Sequence, residues 1–285
     1  MAKVDINTKM ITLLGDPLKQ SFAAQMQNCG YEAAGLNMIY FYTEVNNEHL
    51  ADVVNGIRYM NFAGFAVTKP NKVKVLEYLD ELDPLCEKMG ASNTVVKTPE
   101  GKLVGYNTDG IGFIRSMERD GNVKIDENIY FCISGGAGRA MCSALAYYGA
   151  KKIYITDVFE ESSKALVEDI NKNFAPVAEF CPAGDFSKVK EATVVLNASG
   201  IGMGSHIGEN PLPKEFISKD QFYFDACYNP AKTQFLLDAE EAGATILNGL
   251  GMSLYQGAAQ IEYWTGQEPP IEAMRQKLLD IISEK

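Results

Sequence analysis

The sequence of 285 residues predicts an α/β protein of two domains, an N-terminal α/β domain with a mostly parallel sheet and a Rossmann-type doubly wound domain. Three observations support this prediction. Short apolar runs alternate with segments of helical periodicity, which is typical of α/β proteins. The alternation restarts at residue 129, after loop residues. A glycine-rich turn, GGAG at 135–138, follows the first strand of that second series.

The first part of the chain contains three predicted strand–helix pairs and a hairpin. Each strand is a short apolar run, and each helix has apolar residues three or four positions apart. The predicted strands are 10–15, 38–45 and 62–68, the predicted helices are 21–35, 47–60 and 72–83, and the hairpin joins 92–98 to 102–108. We therefore expect the first domain to cover residues 1–112.

The second part of the chain repeats the alternation with more buried strands. The predicted strands are 129–134, 151–157, 192–199, 221–228 and 244–249, with helices starting at 135 and at 162. Helical patterns then continue over 253–266 and 270–284. We expect a second domain over 113–248, and we expect the C-terminal helices of 249–285 to complete the first domain.

Composition excludes several classes of function. The formal net charge of −11 argues against binding to nucleic acid or to anionic membranes. The six cysteines form no CxxC pair, and only two histidines exist, so a metal site is not expected. The N-terminus has no apolar signal-peptide core, and we expect a cytoplasmic protein. Acid–base chemistry is left to Lys, Asp, Tyr or Cys.

The glycine-rich turn indicates a dinucleotide site. Gly135, Gly136 and Gly138 would let the backbone approach a pyrophosphate at the start of a helix, although the strict GxGxxG pattern is not met. The next strand ends at Asp157, about 20 residues later, where an acidic residue binds the adenosine ribose. No arginine lies in 155–165 to hold a 2′-phosphate. The pattern predicts NAD rather than NADP, with a helix cap as the alternative role of Asp157.

Six spaced motifs resemble the shikimate/quinate dehydrogenase family. They are GFAVTKPNK (64–72), GASNTVV (90–96), GYNTDGIG (105–112), NASGIGM (197–203), DACYNPAKTQFLLDAEEAG (225–243) and NGLGMSLYQGAAQIEYWTG (248–266). The resemblance covers nearly the whole chain in the same order. It implies an oxidoreductase that interconverts the 3-hydroxyl and 3-keto forms of a cyclic hydroxy acid by hydride transfer, with a small molecule as its only substrate partner and no nucleic acid or membrane.

The resemblance also implies roles for individual residues. Lys72 and Asp109 match the catalytic pair, in which the lysine would accept the hydroxyl proton and the aspartate would orient it. The implied substrate-binding residues are Ser21, Thr68, Asn93, Tyr228 and Gln256. The implied cofactor-binding residues are Gly135, Gly136, Ala137, Gly138, Asp157, Ala198, Ser199, Gly249 and Met252.

The first loop departs from the family pattern GxPxxHSxSPxxHN, whose two serines bind the substrate carboxylate. This chain has GDPLKQSFAAQMQN at 15–28, so Ala23 stands in place of the second serine and Gln20 in place of the first histidine. One interpretation is that Gln20, Lys69 or Lys19 contacts the carboxylate instead. The other is that the substrate is a different cyclic polyol, bulkier or without a carboxylate near Ala23.

Other classes of function remain open at this point. A catalytically inactive homologue that senses NAD or a metabolite would bind ligands without turnover. A folate-type methylene dehydrogenase shares the two-domain plan, but the NTDGIG and NGLGMSLYQG segments argue against it. The sequence is compatible with a monomer or a homodimer.

Overall fold

The computed structural model describes residues 4–19 and 21–283. Its elements alternate between strand and helix. In the first half they are β1 (Lys9–Gly15), α1 (Ala23–Ala33), β2 (Met38–Glu44), α2 (Leu50–Tyr59), β3 (Phe62–Val67), β4 (Glu81–Leu82), α3 (Pro84–Met89), β5 (Thr94–Lys97), β6 (Leu103–Tyr106) and α4 (Thr108–Arg119). In the second half they are β7 (Ile129–Ile133), α5 (Gly138–Tyr147), β8 (Lys152–Thr156), α6 (Glu160–Asn173), β9 (Ala178–Phe180), β10 (Val194–Asn197), β11 (Phe222–Asp225), α7 (Gln234–Glu241), β12 (Thr245–Asn248), α8 (Leu250–Thr265) and α9 (Ile271–Ser283).

The chain folds as two compact units. The first consists of Met1–Thr108 and Leu254–Lys285, and the second of Asp109–Ser253. The divisions near 112 and 248 expected from the sequence stay a prediction. Helices α4 and α8 each begin close to a division and carry the chain across it.

The first unit is built on a mixed six-stranded sheet in the order β2-β1-β3-β5-β6-β4. Strands β1, β2 and β3 pair in parallel, as their strand–helix–strand connections require. The predicted hairpin is confirmed, because β5 pairs antiparallel with both β3 and β6. The carboxyl ends of β1 and β3 therefore lie side by side, and the loops that follow them meet there.

The predicted helix over 72–83 is wrong. The structure has a short 3-10 helix, Lys74–Tyr78, followed by β4, which pairs in parallel with β6. Asp80 explains the difference, since its Oδ2 accepts hydrogen bonds from the Leu103 N–H at 2.7 Å and from Arg58 Nη1 at 2.7 Å. These long-range bonds hold the backbone in an extended course that the local helical pattern does not indicate.

The C-terminal helices pack on one face of this sheet. Trp264 of α8 donates from Nε1 to the Val95 carbonyl at 3.0 Å. Gly64 of β3 makes room for this contact, because a Cβ there would lie 2.1 Å from Val95 O and 2.7 Å from Trp264 Nε1. Helix α9 packs against α1 at Gly30, where a Cβ would meet Met274 Cγ at 3.2 Å.

The second unit has the Rossmann topology that the sequence predicts. Its sheet is six-stranded and parallel throughout, in the order β12-β11-β10-β7-β8-β9. The strand order reverses between β7 and β10, which is where doubly wound proteins bind their ligands. Alternate residues of β7 face different cores: Tyr130 and Cys132 pack with α5 and α6, whereas Phe131 and Ile133 pack with α7.

Across the part of the chain that the structure describes, no helix is long and apolar enough to cross a membrane.

Replacing Gly64 with Ala should destabilise the first unit by about 1–3 kcal/mol, because the new methyl group overlaps backbone that cannot move away. Urea unfolding followed by the fluorescence of Trp264, the only tryptophan in the sequence, measures the effect directly. Gly56→Ala is the matched control, since a Cβ at this α2 position meets no atom within 4 Å. The control should be neutral or more stable by about 0.5–1 kcal/mol. Equal unfolding free energies for the two variants would contradict the packing argument.

Candidate active site

The first unit brings the loops after β1 and β3 together at the carboxyl ends of those strands. The Asp16 N–H donates to the Lys69 carbonyl at 3.0 Å, and the Thr68 N–H donates to Leu14 O at 2.8 Å. Gly15 is required at this crossing, because a Cβ would lie 2.3 Å from Thr68 Cγ2 and 2.9 Å from Lys69 O. The loop that carries the predicted lysines is thus attached to the loop that carries the predicted serine.

Lys72 lies at the end of that second loop and is partly buried. Its carbonyl accepts a hydrogen bond from the Ser92 N–H at 2.9 Å, which places Lys72 beside the segment that contains Asn93. Lys69, in contrast, is exposed. The predicted contact Gln20 lies outside the described residues.

Asn93 is buried and its side-chain oxygen is fully used inside the protein. Asn93 Oδ1 accepts hydrogen bonds from the Thr108 N–H at 2.8 Å, from Thr94 Oγ1 at 2.9 Å and from Thr108 Oγ1 at 3.1 Å. Three donors on one oxygen fix the orientation of the amide, since the NH₂ group cannot occupy that position. Asn93 can therefore offer a substrate only its Nδ2 hydrogens.

Gln256 joins the same group of side chains from α8. Its Nε2 donates to Thr108 Oγ1 at 3.3 Å, so two predicted substrate-binding residues, Asn93 and Gln256, share one threonine. The first unit thus gathers Thr68, Lys72, Asn93 and Gln256 around β1, β3, β5 and α8.

Behind this group lies a pair of buried glutamines, of which Gln27 stands where the family pattern has its second histidine. Gln27 of α1 donates from Nε2 to Gln260 Oε1 at 2.9 Å and to Gly257 O at 3.0 Å, and Gln260 Nε2 donates to Thr94 Oγ1 at 2.9 Å. The bonds run in one direction, from Gln27 through Gln260 and Thr94 to Asn93. Within the described residues, Gln27 Oε1 is buried without a hydrogen-bond partner.

The second unit contains a cavity of about 700 Å³ at the carboxyl ends of β7, β8 and β10, where the sequence predicts a dinucleotide site. Its lining includes Gly135, Gly136, Asp157 and Ser199. A Cβ at Gly135 would lie 2.6 Å from Ser199 Cα and 2.9 Å from Ala198 O. Only glycine lets the β7–α5 turn come this close to the β10 loop, leaving backbone at the start of α5 for phosphates.

Asp157 lines this cavity, but its carboxylate also bonds within its own turn. The residue is 8% exposed, and Oδ1 accepts a hydrogen bond from the Phe159 N–H at 3.0 Å. The sequence argument treated the side chain only as a ribose ligand or a helix cap. No Lys or Arg lies among the described residues that line the cavity, and the one side chain there able to carry a positive charge is His206.

A buried carboxylate that the sequence did not reveal holds two loops of this unit. Asp225 Oδ1 accepts from the Cys227 N–H at 2.9 Å and from Asn197 Nδ2 at 3.1 Å, and Oδ2 accepts from the Thr233 hydroxyl. Asn197 Oδ1 in turn accepts from Ser199 Oγ at 2.6 Å. Burial raises the pKa of Asp225, although these hydrogen bonds oppose the rise.

The remaining predicted residues of the second unit lie near these loops. Burial raises the pKa of Tyr228, so its phenol stays protonated and able to donate. Gly249 packs on the β11 loop, where a Cβ would lie 2.1 Å from Ala226 O. Met252 is in the first turn of α8, and Asp109 is in the first turn of α4 directly after Thr108. Among residues 4–19 and 21–283, no cluster of three His, Cys, Asp or Glu side chains is placed to hold a metal ion.

Two family models match parts of this chain. Residues 13–95 match the model of the shikimate dehydrogenase substrate binding domain, and residues 249–279 match that of the shikimate 5′-dehydrogenase C-terminal domain. The shikimate dehydrogenase (NADP(+)) of Methanococcus maripaludis is 38% identical over 96% of this chain and 98% of its own length. This chain belongs to the shikimate dehydrogenase family.

Solved structures of related proteins share the fold. Shikimate 5-dehydrogenase from Listeria monocytogenes, in complex with shikimate and NAD, has 35% identity and a TM-score of 0.93, covering 98% of this chain and 99% of its own. A shikimate dehydrogenase in complex with NADP+ has 36% identity and a TM-score of 0.89, covering 99% and 98%. Ligand-free 5-ketofructose reductase from Gluconobacter sp. strain CHM43 has 30% identity and a TM-score of 0.86, covering 97% and 100%.

The prediction of NAD rather than NADP is wrong. The shikimate dehydrogenases of Methanococcus maripaludis and Methanocaldococcus jannaschii that resemble this chain are named for NADP(+), and one of the related structures holds NADP+. Curated relatives from Listeria monocytogenes carry the same NADP(+) name. The error came from Asp157, whose carboxylate forms a hydrogen bond inside its own turn and is no guide to the cofactor by itself.

Asp225 should make stability depend on pH. Because its pKa is raised in the folded protein, its contribution to stability is present at low pH and is lost as the pH rises through the folded value. Asp225→Asn removes this titration while Oδ1 keeps its two donors. We expect the variant to gain stability relative to the wild type as the pH rises above the ordinary carboxyl pKa of about 3.9, measured by urea unfolding. The exposed-site control Asp220→Asn should run parallel to the wild type; a parallel curve for Asp225→Asn would show that the buried carboxyl does not titrate in this range.

Proposed function

We propose that this chain is an NADP-dependent dehydrogenase of a shikimate-type cyclic hydroxy acid, interconverting its 3-hydroxyl and 3-keto forms. The observation that carries the proposal is the orientation of Asn93, whose oxygen is held by Thr94 and Thr108 so that its NH₂ group serves as donor. A fixed donor beside Gln256 and Lys72 suits a substrate with adjacent ring hydroxyls. Family membership supports the same reaction.

Lys72 is the proposed acid–base residue. During oxidation its amine takes the proton of the reacting hydroxyl, and during reduction its ammonium returns a proton to the developing alkoxide. Its neighbourhood supports this role, because the lysine is partly buried and its backbone is held by Ser92 next to Asn93. Asp109 is proposed to orient the Lys72 ammonium and to accept a hydrogen bond from a neighbouring substrate hydroxyl. Asn93 and Gln256 would bind the other ring oxygens and fix the reacting carbon.

The cavity of the second unit fits a dinucleotide. Gly135 lets the turn before α5 pass close to Ser199, Gly138 lets the start of α5 pack on Ser134, and Ser134 and Ser162 line the cavity wall. When bound, NADP+ supplies the acceptor for the hydride that leaves the substrate carbon. Ala198, Gly249 and Met252 are proposed to lie on the nicotinamide side. Tyr228 would donate a hydrogen bond from its hydroxyl to the substrate.

A second candidate is reduction of a neutral keto sugar. Ala23 removes one of the two hydroxyls that the family pattern provides for a carboxylate, and 5-ketofructose reductase shares the fold over the whole chain. The same lysine and asparagine would serve a keto group without an acid nearby.

Initial rates of the purified protein distinguish the two candidates. We would measure oxidation of shikimate and quinate with NADP+, and reduction of 5-ketofructose with NADPH. The main proposal expects turnover of shikimate or quinate and little of the sugar. Turnover of 5-ketofructose alone would overturn it in favour of the second candidate, and binding of NADP+ without any turnover would indicate a non-catalytic homologue.

Lys72→Met should lower kcat by about 10²- to 10⁴-fold, because the proton of the reacting hydroxyl then has no positioned acceptor. Steady-state kinetics with shikimate at saturating NADP+ measure the loss, and titration calorimetry with NADP+ should show unchanged affinity. Lys74→Met is the matched control two residues away, where the exposed lysine pairs only with Glu77 in the described contacts. A kcat within threefold of wild type for Lys72→Met would exclude the lysine as the acid–base residue.

Asp157→Asn should lower the KM for NADP+ by about 3- to 10-fold. The amide keeps the hydrogen bond to the Phe159 N–H but removes a negative charge from the cavity that receives the 2′-phosphate. The measurement is KM for NADP+ at two ionic strengths, since a charge effect weakens as salt is added. An unchanged KM would mean that the carboxylate acts only within its turn. The control Glu168→Gln, at an exposed position of α6 that does not line the cavity, should leave KM unaltered.

A further inference from the structure

A hydroxyl that the family pattern does not include lies at the start of α1, next to the loop in which that pattern binds the substrate carboxylate. Tyr42 of β2 reaches the start of α1, where its Oη donates to Ser21 O at 2.9 Å and accepts the Ala24 N–H at 3.0 Å. One tyrosine oxygen is therefore bonded to the residues on either side of the 22–23 dipeptide. Tyr42 is 37% exposed, so it is not sealed inside the core.

Ala23 is the position at which the second serine of the pattern is missing. Its own N–H is turned to Ser21 Oγ at 3.3 Å, and its side chain is a methyl group that can bind no oxygen. Two hydroxyls therefore contact the backbone of residues 21–24. One is that of Ser21, within the loop, and the other is that of Tyr42, on the neighbouring strand.

We propose that Tyr42 replaces the missing serine and, together with Ser21, binds the carboxylate of the substrate. This assignment rests on the proposed function, in which the substrate is a cyclic hydroxy acid. It makes Tyr42 a residue that determines specificity for the acid.

Tyr42 already has the hydroxyl hydrogen that a hydrogen bond to the carboxylate requires. The phenol has one hydrogen, which points to the neutral carbonyl of Ser21 while the lone pair takes the Ala24 N–H. When a carboxylate arrives, the hydrogen turns from that carbonyl to the charged oxygen, because a hydrogen bond to an ionised acceptor is about twice as strong as one to a neutral acceptor. The bond from the Ala24 N–H remains and polarises the hydroxyl in the direction of donation.

The charged side chains nearby are less suited than Tyr42 to bind the carboxylate. Lys19 and Lys69 are both exposed, and each would have to order a long side chain to reach the acid. Glu44 accepts the Leu18 N–H at 3.0 Å and so holds the loop rather than the ligand. The Tyr42 ring needs no rearrangement, because the hydrogen bond from the Ala24 N–H still holds its oxygen in place when the hydroxyl hydrogen turns.

The test compares an acid with its neutral ester. Tyr42→Phe keeps the ring and removes the hydroxyl, and we expect KM for shikimate to rise about 10-fold or more with kcat little changed. KM for shikimate methyl ester, used as substrate or as competitive inhibitor, should change less than about twofold because no charge is involved. Tyr59→Phe, which removes an exposed phenol at the end of α2, is the control.

Restoring the serine tests the replacement directly. In the double variant Ala23→Ser with Tyr42→Phe, the KM for shikimate should return toward the wild-type value. Thermal unfolding of each variant checks that the protein is still folded. If Tyr42→Phe raises KM for acid and ester alike, and the serine does not rescue it, Tyr42 only caps α1 and the assignment is overturned. An active wild type with an unchanged Tyr42→Phe overturns this assignment alone, whereas a wild type that neither binds nor oxidises the acid overturns the proposed function as well.

Discussion

A one-way chain of buried hydrogen bonds runs from α1 to the segment before β5, through Gln27, Gln260, Thr94 and Asn93. Each member has a defined donor and acceptor end, so the orientation of every amide follows from its neighbour. An unsatisfied buried polar group costs about 1–3 kcal/mol, which makes a reversed amide anywhere in the chain unfavourable. Helices α1 and α8 therefore fix the orientation of the Asn93 amide before any substrate binds.

The second unit is organised in the same way around a buried carboxyl group. Asp225 is buried at the carboxyl end of β11 and collects donors from Asn197, Cys227 and Thr233. The loops after β10 and β11 are thereby tied to one point next to the reversal of strand order. Ligand loops on a Rossmann sheet need such anchoring, because their backbone has no ladder of its own.

Local patterns were enough to predict most strands and helices, although the edge strands β4 and β9 and the helices α3 and α7 were missed. The apolar runs of β1, β3, β7 and β10 mark buried strands, and GGAG marks the turn before α5. Prediction failed where distant contacts decide the backbone or the role of a side chain. The segment 72–83 is extended near Asp80 because Leu103 and Arg58 bind that residue. Helix α4 was not predicted, since glycines in its first turns weaken the helical signal.

The polar network is the part that no local pattern contains. Gln27 and Gln260 are 233 residues apart in the sequence and meet only in the folded first unit. The motifs identify Asn93 and Gln256 by resemblance, but which end of the Asn93 amide faces a substrate follows from the threonines and glutamines around it. The sequence does not identify a binding role for Tyr42 either, because a tyrosine in an alternating strand is ordinarily a packing residue.

The glutamine pair also has an evolutionary consequence. Gln27 donates a hydrogen bond to Gln260, and Gln260 donates one to Thr94. Replacing either glutamine alone therefore leaves the other buried with half of its hydrogen bonds. A descendant can alter the pair by changing both positions together or by passing through a less stable intermediate. We therefore expect the two positions, which lie near opposite ends of the chain, to change together in evolution.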